Sequence, residues 1–390
     1  LPLSKKYFEW KNILKSNLDY TIKRVEAIPV SLPLIKPVLM GDNQEIRSSD
    51  SLLVRLETVG GVIGWGEASA APKMTGETLL GMKQLVDTQF SQMLVGQSIV
   101  DWAMVNDQIQ NGIPGNTGAK AACNIALYDL YGKCCNISVS DLLGGQIRRQ
   151  IPVMTLLANP TIQEDLLDAA RYYQAGIRFF KLKIGVKSVE EEIATLNELR
   201  RLYGSAVFLS ADANAGLCLV DAKLILQGIA QSNLLFFEQA LASDDLDGSV
   251  QLAQLQHAPL CADESAHDIA HIIRWHEHGA IAGVNLKTIK FGGIGGVSTA
   301  AKVAHALCLE VNLASKAGES SLGTSALIHL AYTVPSINWG VTPSCQYLQE
   351  DIVDQKIVIE NGSVICPTGP GLGVNINEKI VNKYRIEHLS

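Results

Sequence analysis

Apolar and polar positions change rhythm twice along this chain. Residues 21–35 alternate weakly and residues 50–58 more strictly, and a Gly60-Gly61 turn leads into Val62-Ile63-Gly64-Trp65-Gly66-Glu67. A period of two marks a half-buried strand, so three antiparallel strands with a hairpin are predicted. From about residue 77 to 145 the period is helical. Leu79, Leu80, Met82, Leu85 and Val86 form one stripe, and Ala119, Ala122, Ile125, Ala126, Leu130 and Tyr131 another, ending at Gly144-Gly145. Residues 1–150 therefore read as an α+β domain, sheet first and helices after.

From residue 151 short apolar runs recur at regular intervals, each followed by a helical stretch. The runs are Pro152–Leu157, Phe179–Ile184, Val207–Asp212, Leu234–Glu238, Pro259–Asp263, Gly283–Lys287 and Glu310–Ala314, with an eighth near Ile337–Val341. After the second run, Ser188 and Glu191 have the spacing of a capping box, and Glu190, Glu191 and Glu192 sit where the helix dipole favours anions. Strands alternating with helices imply a parallel sheet with right-handed crossovers. Seven or eight such units predict an α/β chain with a (β/α)7-8 TIM barrel, a doubly wound open sheet being the rival.

Composition narrows the field. Charged residues make up 18% of the chain and apolar residues 47%, whereas soluble domains run nearer a quarter charged. Charges inside apolar runs then need a reason, because burying one unpaired costs several kcal/mol. The net charge of −7, without a basic tract of five or more, argues against a nucleic-acid footprint. No apolar stretch reaches the ~18 residues that suggest a membrane span. The first residues have no apolar core followed by a small-residue cleavage site, so no secretory signal is read. The eight cysteines (Cys123, Cys134, Cys135, Cys218, Cys261, Cys308, Cys345 and Cys366) form no C-x-x-C pair. They are expected to be buried free thiols of a cytoplasmic protein.

Five of the runs end in charge: Lys181 and Lys183, then Asp212, Glu238, Asp263 and Lys287. From Lys183 onward the separations are 29, 26, 25 and 24 residues, each one β/α unit. The charges thus recur at the C-terminal ends of successive strands, which in a barrel converge on the mouth where active sites lie. One strand-end carboxylate is well explained as a helix cap or a solvated loop residue; five coincidences are not. Three carboxylates on consecutive strands repel one another unless a cation lies between them. All-oxygen donors point to a hard cation, Mg²⁺ or Mn²⁺. The second and sixth strands face each other across a barrel, so Lys183 and Lys287 would address a substrate from opposite sides. That suits removing a proton from carbon and returning it to either face, with the metal stabilising the enolate. Lys181, two residues from Lys183, faces the same way and would tune it or bind a substrate carboxylate.

The segments Phe180-Lys181-Leu182-Lys183-Ile184-Gly185, Asp212-Ala213-Asn214, Glu238-Gln239, Ala262-Asp263-Glu264-Ser265 and Asn285-Leu286-Lys287, with Gly292-Gly293, resemble the enolase superfamily. Within it they look like the mandelate racemase/muconate lactonizing enzyme family and its muconate-lactonizing subgroup. Gly64-Trp65-Gly66-Glu67 resembles the end of that family's capping-domain hairpin, and Gly369-Pro370-Gly371-Leu372-Gly373 its C-terminal return; the likeness spans about residues 21 to 376. The resemblance implies a capping domain over 1–150, a catalytic barrel over 151–355 and a return segment, 356–390, packed on the cap. It implies Asp212, Glu238 and Asp263 as ligands of one Mg²⁺ (or Mn²⁺) per subunit, and Lys183 and Lys287 as acid/base lysines with Lys181 assisting. Asn214 and Glu264 match residues supporting the metal site, and Glu319 an acidic residue after the seventh strand. Mobile capping loops fall near Pro37–Arg47 and Ala68–Glu77. A homo-oligomer is expected from the resemblance alone.

Such enzymes cycloisomerise, racemise, epimerise or dehydrate small carboxylates. The expected activity is a cycloisomerase or a racemase/epimerase. A dehydratase, a Schiff-base aldolase and a non-catalytic binding protein remain as alternatives. Leu217 stands where many relatives carry Trp. Trp339-Gly340-Val341-Thr342-Pro343 stands where dipeptide epimerases carry Asp-x-Asp, which argues against a dipeptide substrate, although Met74-Thr75-Gly76-Glu77 resembles some epimerases. Lys316 is an extra charge: it binds a second substrate anion or is a solvated loop lysine. Thr75, Ser315 and Lys316 are therefore the substrate-binding candidates. Gly292-Gly293-Ile294-Gly295-Gly296 lacks the full dinucleotide fingerprint and reads only weakly as a phosphate loop. Trp10 and Tyr20 are expected to pack on the cap or on a neighbouring subunit.

Overall fold

The computed structural model describes residues 18–39 and 45–387. Its first part is an antiparallel sheet of β1 (Ile22–Leu39), β2 (Glu45–Thr58) and β3 (Ile63–Ser69), in that order. Both strands of the first pair run further than their alternation suggests. The added stretch Ile35–Pro37 is exposed and carries no buried-face pattern, and the register shifts between Pro33 and Val38. Trp10 and residues 40–44, part of the expected capping loop Pro37–Arg47, lie outside the described residues.

The long helix α1 (Thr117–Cys135) lies across this sheet and is buried on nearly all sides, as expected of a helix clamped between two layers. The closeness of β3 to α1 explains the glycines of Gly64-Trp65-Gly66. A Cβ on Gly66 would lie 2.0 Å from Ala122 O, and one on Gly64 2.5 Å from Leu130 Cβ. Asp129, buried in α1, accepts a bond from Trp65 N (2.8 Å) and another from Leu372 N (2.9 Å), joining sheet, helix and C-terminal segment.

The second part alternates strand and helix: β4 (Met154–Leu157), α2 (Ile162–Gln174), β5 (Phe179–Lys183), α3 (Val189–Tyr203), β6 (Phe208–Asp212), α4 (Leu219–Gly228), β7 (Phe236–Glu238) and α5 (Leu246–Ala253). It continues through β8 (Leu260–Ala262), α6 (Ile269–Glu277), β9 (Gly283–Leu286), α7 (Ile294–Ala306), β10 (Glu310–Ala314), α8 (Ser321–Thr333) and β11 (Val341–Thr342). The eight strands pair in parallel in sequence order, and a parallel bridge between Val153 and Val341 joins the first to the last. The architecture is a TIM barrel with an N-terminal α+β cap. Ser188 and Glu191 form the expected capping box on α3.

Cap and barrel interlock at two places. Glu67 reaches from β3 to the start of α8, accepting from Ser320 N (3.0 Å), Gly323 N (3.0 Å) and Ser320 Oγ. At the glycine-rich turn before α7, a Cβ on Gly293 (φ 113°) would lie 2.3 Å from Asn124 Oδ1, which accepts from Ile294 N (2.7 Å). Gln110 Nε2 donates to Gly292 O (2.8 Å). These glycines make room for cap side chains, and cap contacts, not an anion, use the turn. The C-terminal segment adds two short strands to a sheet with Ile151–Pro152. Its helix α9 (Glu378–Tyr384) precedes a bridge between Arg385 and Val30 of β1.

The cysteines depart from expectation. Cys123, Cys261, Cys345 and Cys366 are buried, but Cys135, Cys218 and Cys308 are exposed and Cys134 is half-buried. Cys218 is exposed because it begins α4, its sulfur accepting from Asp221 N. Among the described residues no helix is long and apolar enough to cross a membrane.

Candidate active site

The ends of β5 to β9 carry the six strand-end charges of the site. Lys181 and Lys183 sit two apart on β5 and both point inward, 2% and 4% exposed. Strand register sets Lys183 beside Asp212, and Asp212 beside Glu238. Lys183 Nζ donates to Asp212 Oδ2 (2.5 Å) and Asn214 Oδ1 (2.7 Å). Lys181 Nζ donates to Glu238 Oε2 (2.5 Å) and Asn312 Oδ1 (3.2 Å). Across the mouth Lys287 is paired with Asp263 Oδ2. All six strand-end charges are therefore brought to one place.

Burial and mutual repulsion govern the electrostatics. Burial, together with the nearby Asp212 and Asp263 charges, raises the Glu238 carboxyl above its ordinary range. Burial opposes the Lys181 ammonium, but Glu238 and Asp212 outweigh it and hold its proton more tightly than usual. Asp263 is also opposed by burial, yet Lys287 and Lys290 hold it well below the carboxylate range. The Lys287 ammonium is in turn pushed well up, because Asp263 and its acidic neighbours overcome the cost of burial.

Several supporting residues carried no sequence signal of their own. Lys290, one helical turn beyond Lys287, is completely buried and donates to Asp263 Oδ1 (2.7 Å), Asp263 O (2.6 Å) and Asn285 O (2.7 Å). Asn312 is a single polar residue in an apolar strand. It fixes Lys181 and spends its amide on Trp339 O and Gly340 O. Gln239 ties two strand ends, accepting from Asp263 N (3.0 Å) and Ser265 N (2.9 Å). Backbone strain collects here: Ala215 and Gln239, neither a glycine, take φ of 61° and 34° just beyond Asp212 and Glu238. Such strain is held only where surrounding contacts over-determine it, commonly at active sites.

The fit of a cation can be judged from the donors. Asp212, Glu238 and Asp263 offer only carboxylate oxygen, the chemistry that Mg²⁺ and Mn²⁺ prefer. Glu264 Oε2 and Asn285 Oδ1 are buried beside them without a hydrogen-bond partner. Among the described residues no three acidic, His or Cys side chains are gathered tightly enough to hold a metal. The lysines take up the carboxylates instead. The donor set fits a hard divalent cation, and the ammonium groups occupy its role as counter-charge.

The remaining candidates divide. Asn214 links Lys183 to Glu264, its Nδ2 lying 3.3 Å from Glu264 Oε1. Glu319 is buried beyond β10, and burial with the neighbouring Glu67 charge pushes its carboxyl up to about 8. Lys316 is half-buried; that burial disfavours its ammonium, which lies among Glu319, Asp50 and Lys287. Ser315 is buried beside it. Thr75 is engaged locally, its hydroxyl donating to Ala71 O and accepting from Glu77 N. The Glu77 carboxylate caps α1 through Gly118 N (2.6 Å) and Ala119 N (3.0 Å). A surface recess of about 970 Å³ lies along the C-terminal segment at residues such as Gln150, Lys356 and Thr368, away from these groups.

Two family models match the chain. Enolase C-terminal domain-like covers residues 165–380, and mandelate racemase / muconate lactonizing enzyme, N-terminal domain covers residues 25–144. The chain belongs to the mandelate racemase/muconate lactonizing enzyme family of the enolase superfamily. It is an isomerase of that family. It is similar to the L-Ala-D/L-Glu epimerase of Bacillus subtilis (strain 168), 28% identical over 90% of this chain and 96% of the relative. The structure of muconate lactonizing enzyme from Pseudomonas fluorescens, complexed with muconolactone, superposes with a TM-score of 0.89 at 26% identity, covering 94% of this chain and 100% of the other. The N-succinyl Arg/Lys racemase of Bacillus cereus ATCC 14579 gives 0.88 at 27% identity, covering 94% and 98%. Three different reactions thus stand at nearly the same distance, so similarity alone does not select among them.

Proposed function

We propose that the chain is a divalent-metal-dependent isomerase that removes a proton α to the carboxylate of a small substrate and returns it through an enolate. The observation that carries this reading is the pairing of Lys183 with Asp212 and of Lys287 with Asp263. Lys183 ends β5 and Lys287 directly follows β9, the second and sixth of eight strands. A substrate carbon between them meets one lysine on each face; one removes the proton and the other delivers it.

Asp212, Glu238 and Asp263 would hold one Mg²⁺ or Mn²⁺, which when bound supplies positive charge favouring the enolate. The lysines' part follows from their contacts. Each donates to its carboxylate, and a lysine released from such a partner in a buried site gives up a proton more readily. Asn214 keeps Lys183 aimed after that release, and Lys290 keeps Asp263 in place. Lys181, held by Asn312, stands beside Lys183 to tune it or to meet the substrate carboxylate. Glu319, protonated near neutral pH, is a further acid at the mouth, and Thr75, Ser315 and Lys316 are assigned to the substrate.

The test is α-proton exchange in D₂O, followed by NMR over a panel of small carboxylates. Exchange should need Mg²⁺ or Mn²⁺, stop with EDTA and, for the enantiomer whose α-proton faces Lys183, vanish in Lys183→Ala. Persistence in EDTA would overturn the metal's part, and full exchange by Lys183→Ala would overturn the base assignment.

A further inference from the structure

The barrel mouth holds five inward lysines, and four of them are fully engaged. Lys181, Lys183, Lys287 and Lys290 each donate to at least one carboxylate. Lys316 is the exception: its Nζ makes no hydrogen bond or ion pair with any described residue. Its surroundings come from three elements. Asp50 of β2 is already bonded by Ser31 Oγ (2.6 Å), Lys287 follows β9, and Glu319 shares its own loop. The Glu319 carboxyl, next to the buried Glu67 of β3, is largely neutral near pH 7 and gives Lys316 little counter-charge.

A second observation is independent of that charge. Ser315 Oγ and Thr342 Oγ1 are buried and make no hydrogen bond of sound geometry, the Glu319 carboxyl lying near Ser315. Ser315 and Thr342 are neighbours, since Ser315 N donates to Thr342 O (3.0 Å) across the ends of β10 and β11. A buried hydroxyl left without a partner costs roughly 1–3 kcal/mol, so two together mark a place that something polar fills. The loop presenting them is pinned: Glu319 N (3.2 Å) and Ser344 Oγ (2.6 Å) both donate to Lys316 O. Gly318 (φ 83°) leaves no room for a Cβ between Ser49 and Leu34 of the cap.

We infer that the ends of β10 and β11 form a subsite for a second anionic group of the substrate, with Lys316 as its counter-charge and the Ser315 and Thr342 hydroxyls as donors. An ammonium and two hydroxyls without acceptors form a donor-rich set that a carboxylate satisfies and a cationic or aliphatic group does not. The inference rests on the proposed proton transfer between Lys183 and Lys287, which places the substrate's first carboxylate. Lys287 and Lys316 follow adjacent strands, spaced by about 4.8 Å, so the two anionic groups are joined by a short spacer. Lys316 is then a specificity residue for short dianionic substrates.

The experiment uses the metal-loaded full chain and matched pairs: α-substituted dicarboxylates, and the same molecules with the distal carboxylate as carboxamide. For the wild type, kcat/KM for α-deuterium exchange should favour the diacid by about tenfold or more, as a charge-assisted contact implies. Lys316→Met should collapse that ratio towards one, mainly through KM, and Lys316→Arg should retain it. A wild-type ratio near one, or an undiminished ratio in Lys316→Met, overturns the subsite. Calorimetric titration with glutarate and glutaramate reads selectivity without turnover. Selective glutarate binding, lost in Lys316→Met while no substrate exchanges its α-proton, would sink the proposed reaction and leave the subsite standing.

Discussion

The two sides of the barrel mouth are built on opposite principles. At the ends of β5 to β9 the strand-end charges are paired: three carboxylates and four lysines hold one another, with Asn214, Asn312 and Gln239 locking the geometry, and only Glu264 Oε2 and Asn285 Oδ1 are left open beside them. At the ends of β10 and β11 a half-buried ammonium makes no ion pair with a described residue, and the Ser315 and Thr342 hydroxyls are buried without partners. The saturated side is preorganised, which is what moving a proton at a fixed place requires. The unsaturated side is completed only by what enters. Chemistry and selectivity are thus divided between two arcs of one ring.

The sharpest way to break this division is Lys183→Ala, which should lower α-proton exchange of the enantiomer facing Lys183 by about 10²–10⁴-fold while Mg²⁺ binding, read by calorimetry, persists. An equal loss of metal binding would show that the paired arc cannot be separated into acid/base and ligand parts. Next is Lys290→Met. Removing a fully buried ammonium from Asp263 should destabilise the fold by about 3–5 kcal/mol, measured by urea unfolding. A change under about 1 kcal/mol would show that the paired arc is not held by its charges.

The open arc is supported from behind by α8, whose His329 accepts from Ser140 N at Nδ1 (3.1 Å) and faces Leu372 O with Nε2 (3.1 Å). Burial lowers this imidazole from 6.5 to about 4. The folded protein therefore resists a proton that the unfolded chain accepts. The stabilisation is full above about pH 6.5 and is lost as pH falls towards about 4, by up to about 3 kcal/mol. Acid denaturation followed in wild type and His329→Gln should show this dependence only in the former; identical profiles would remove His329 from the account. The smallest effect is expected from Glu67→Gln, about 1–2 kcal/mol from weakened bonds to Ser320 and Gly323. The same change removes a negative charge beside Glu319. If the protonated Glu319 carboxyl takes part, exchange falls as pH rises through about 8 in the wild type, and that limb should move to lower pH in the variant. An unmoved limb would take Glu319 out of the reaction.

What could be read in advance follows the same division. The saturated arc was legible because strand ends recur at one β/α unit, and charges placed on that period stand out in an apolar chain. Its supports were not: Lys290 lies on a turn with no period, Asn312 is one polar residue in an apolar strand, and Gln239 acts across to the next strand. The longer reach of β1 and β2 was hidden because Ile35–Pro37 are exposed and leave no alternation. Lys316 was visible as an extra charge. That it is half-buried and makes no ion pair depends on where Glu319 and Asp50 fall in space.

The glycine contacts between the two parts have a calorimetric consequence. Gly66 admits no Cβ against Ala122, Gly293 none against Asn124, and Glu67 is bonded into the first turn of α8. Sheet, long helix and barrel are thereby keyed to one another at backbone distance. Such a molecule has a single melting unit despite its two folds: heat should dissolve cap and barrel in one transition, with the van't Hoff and calorimetric enthalpies agreeing.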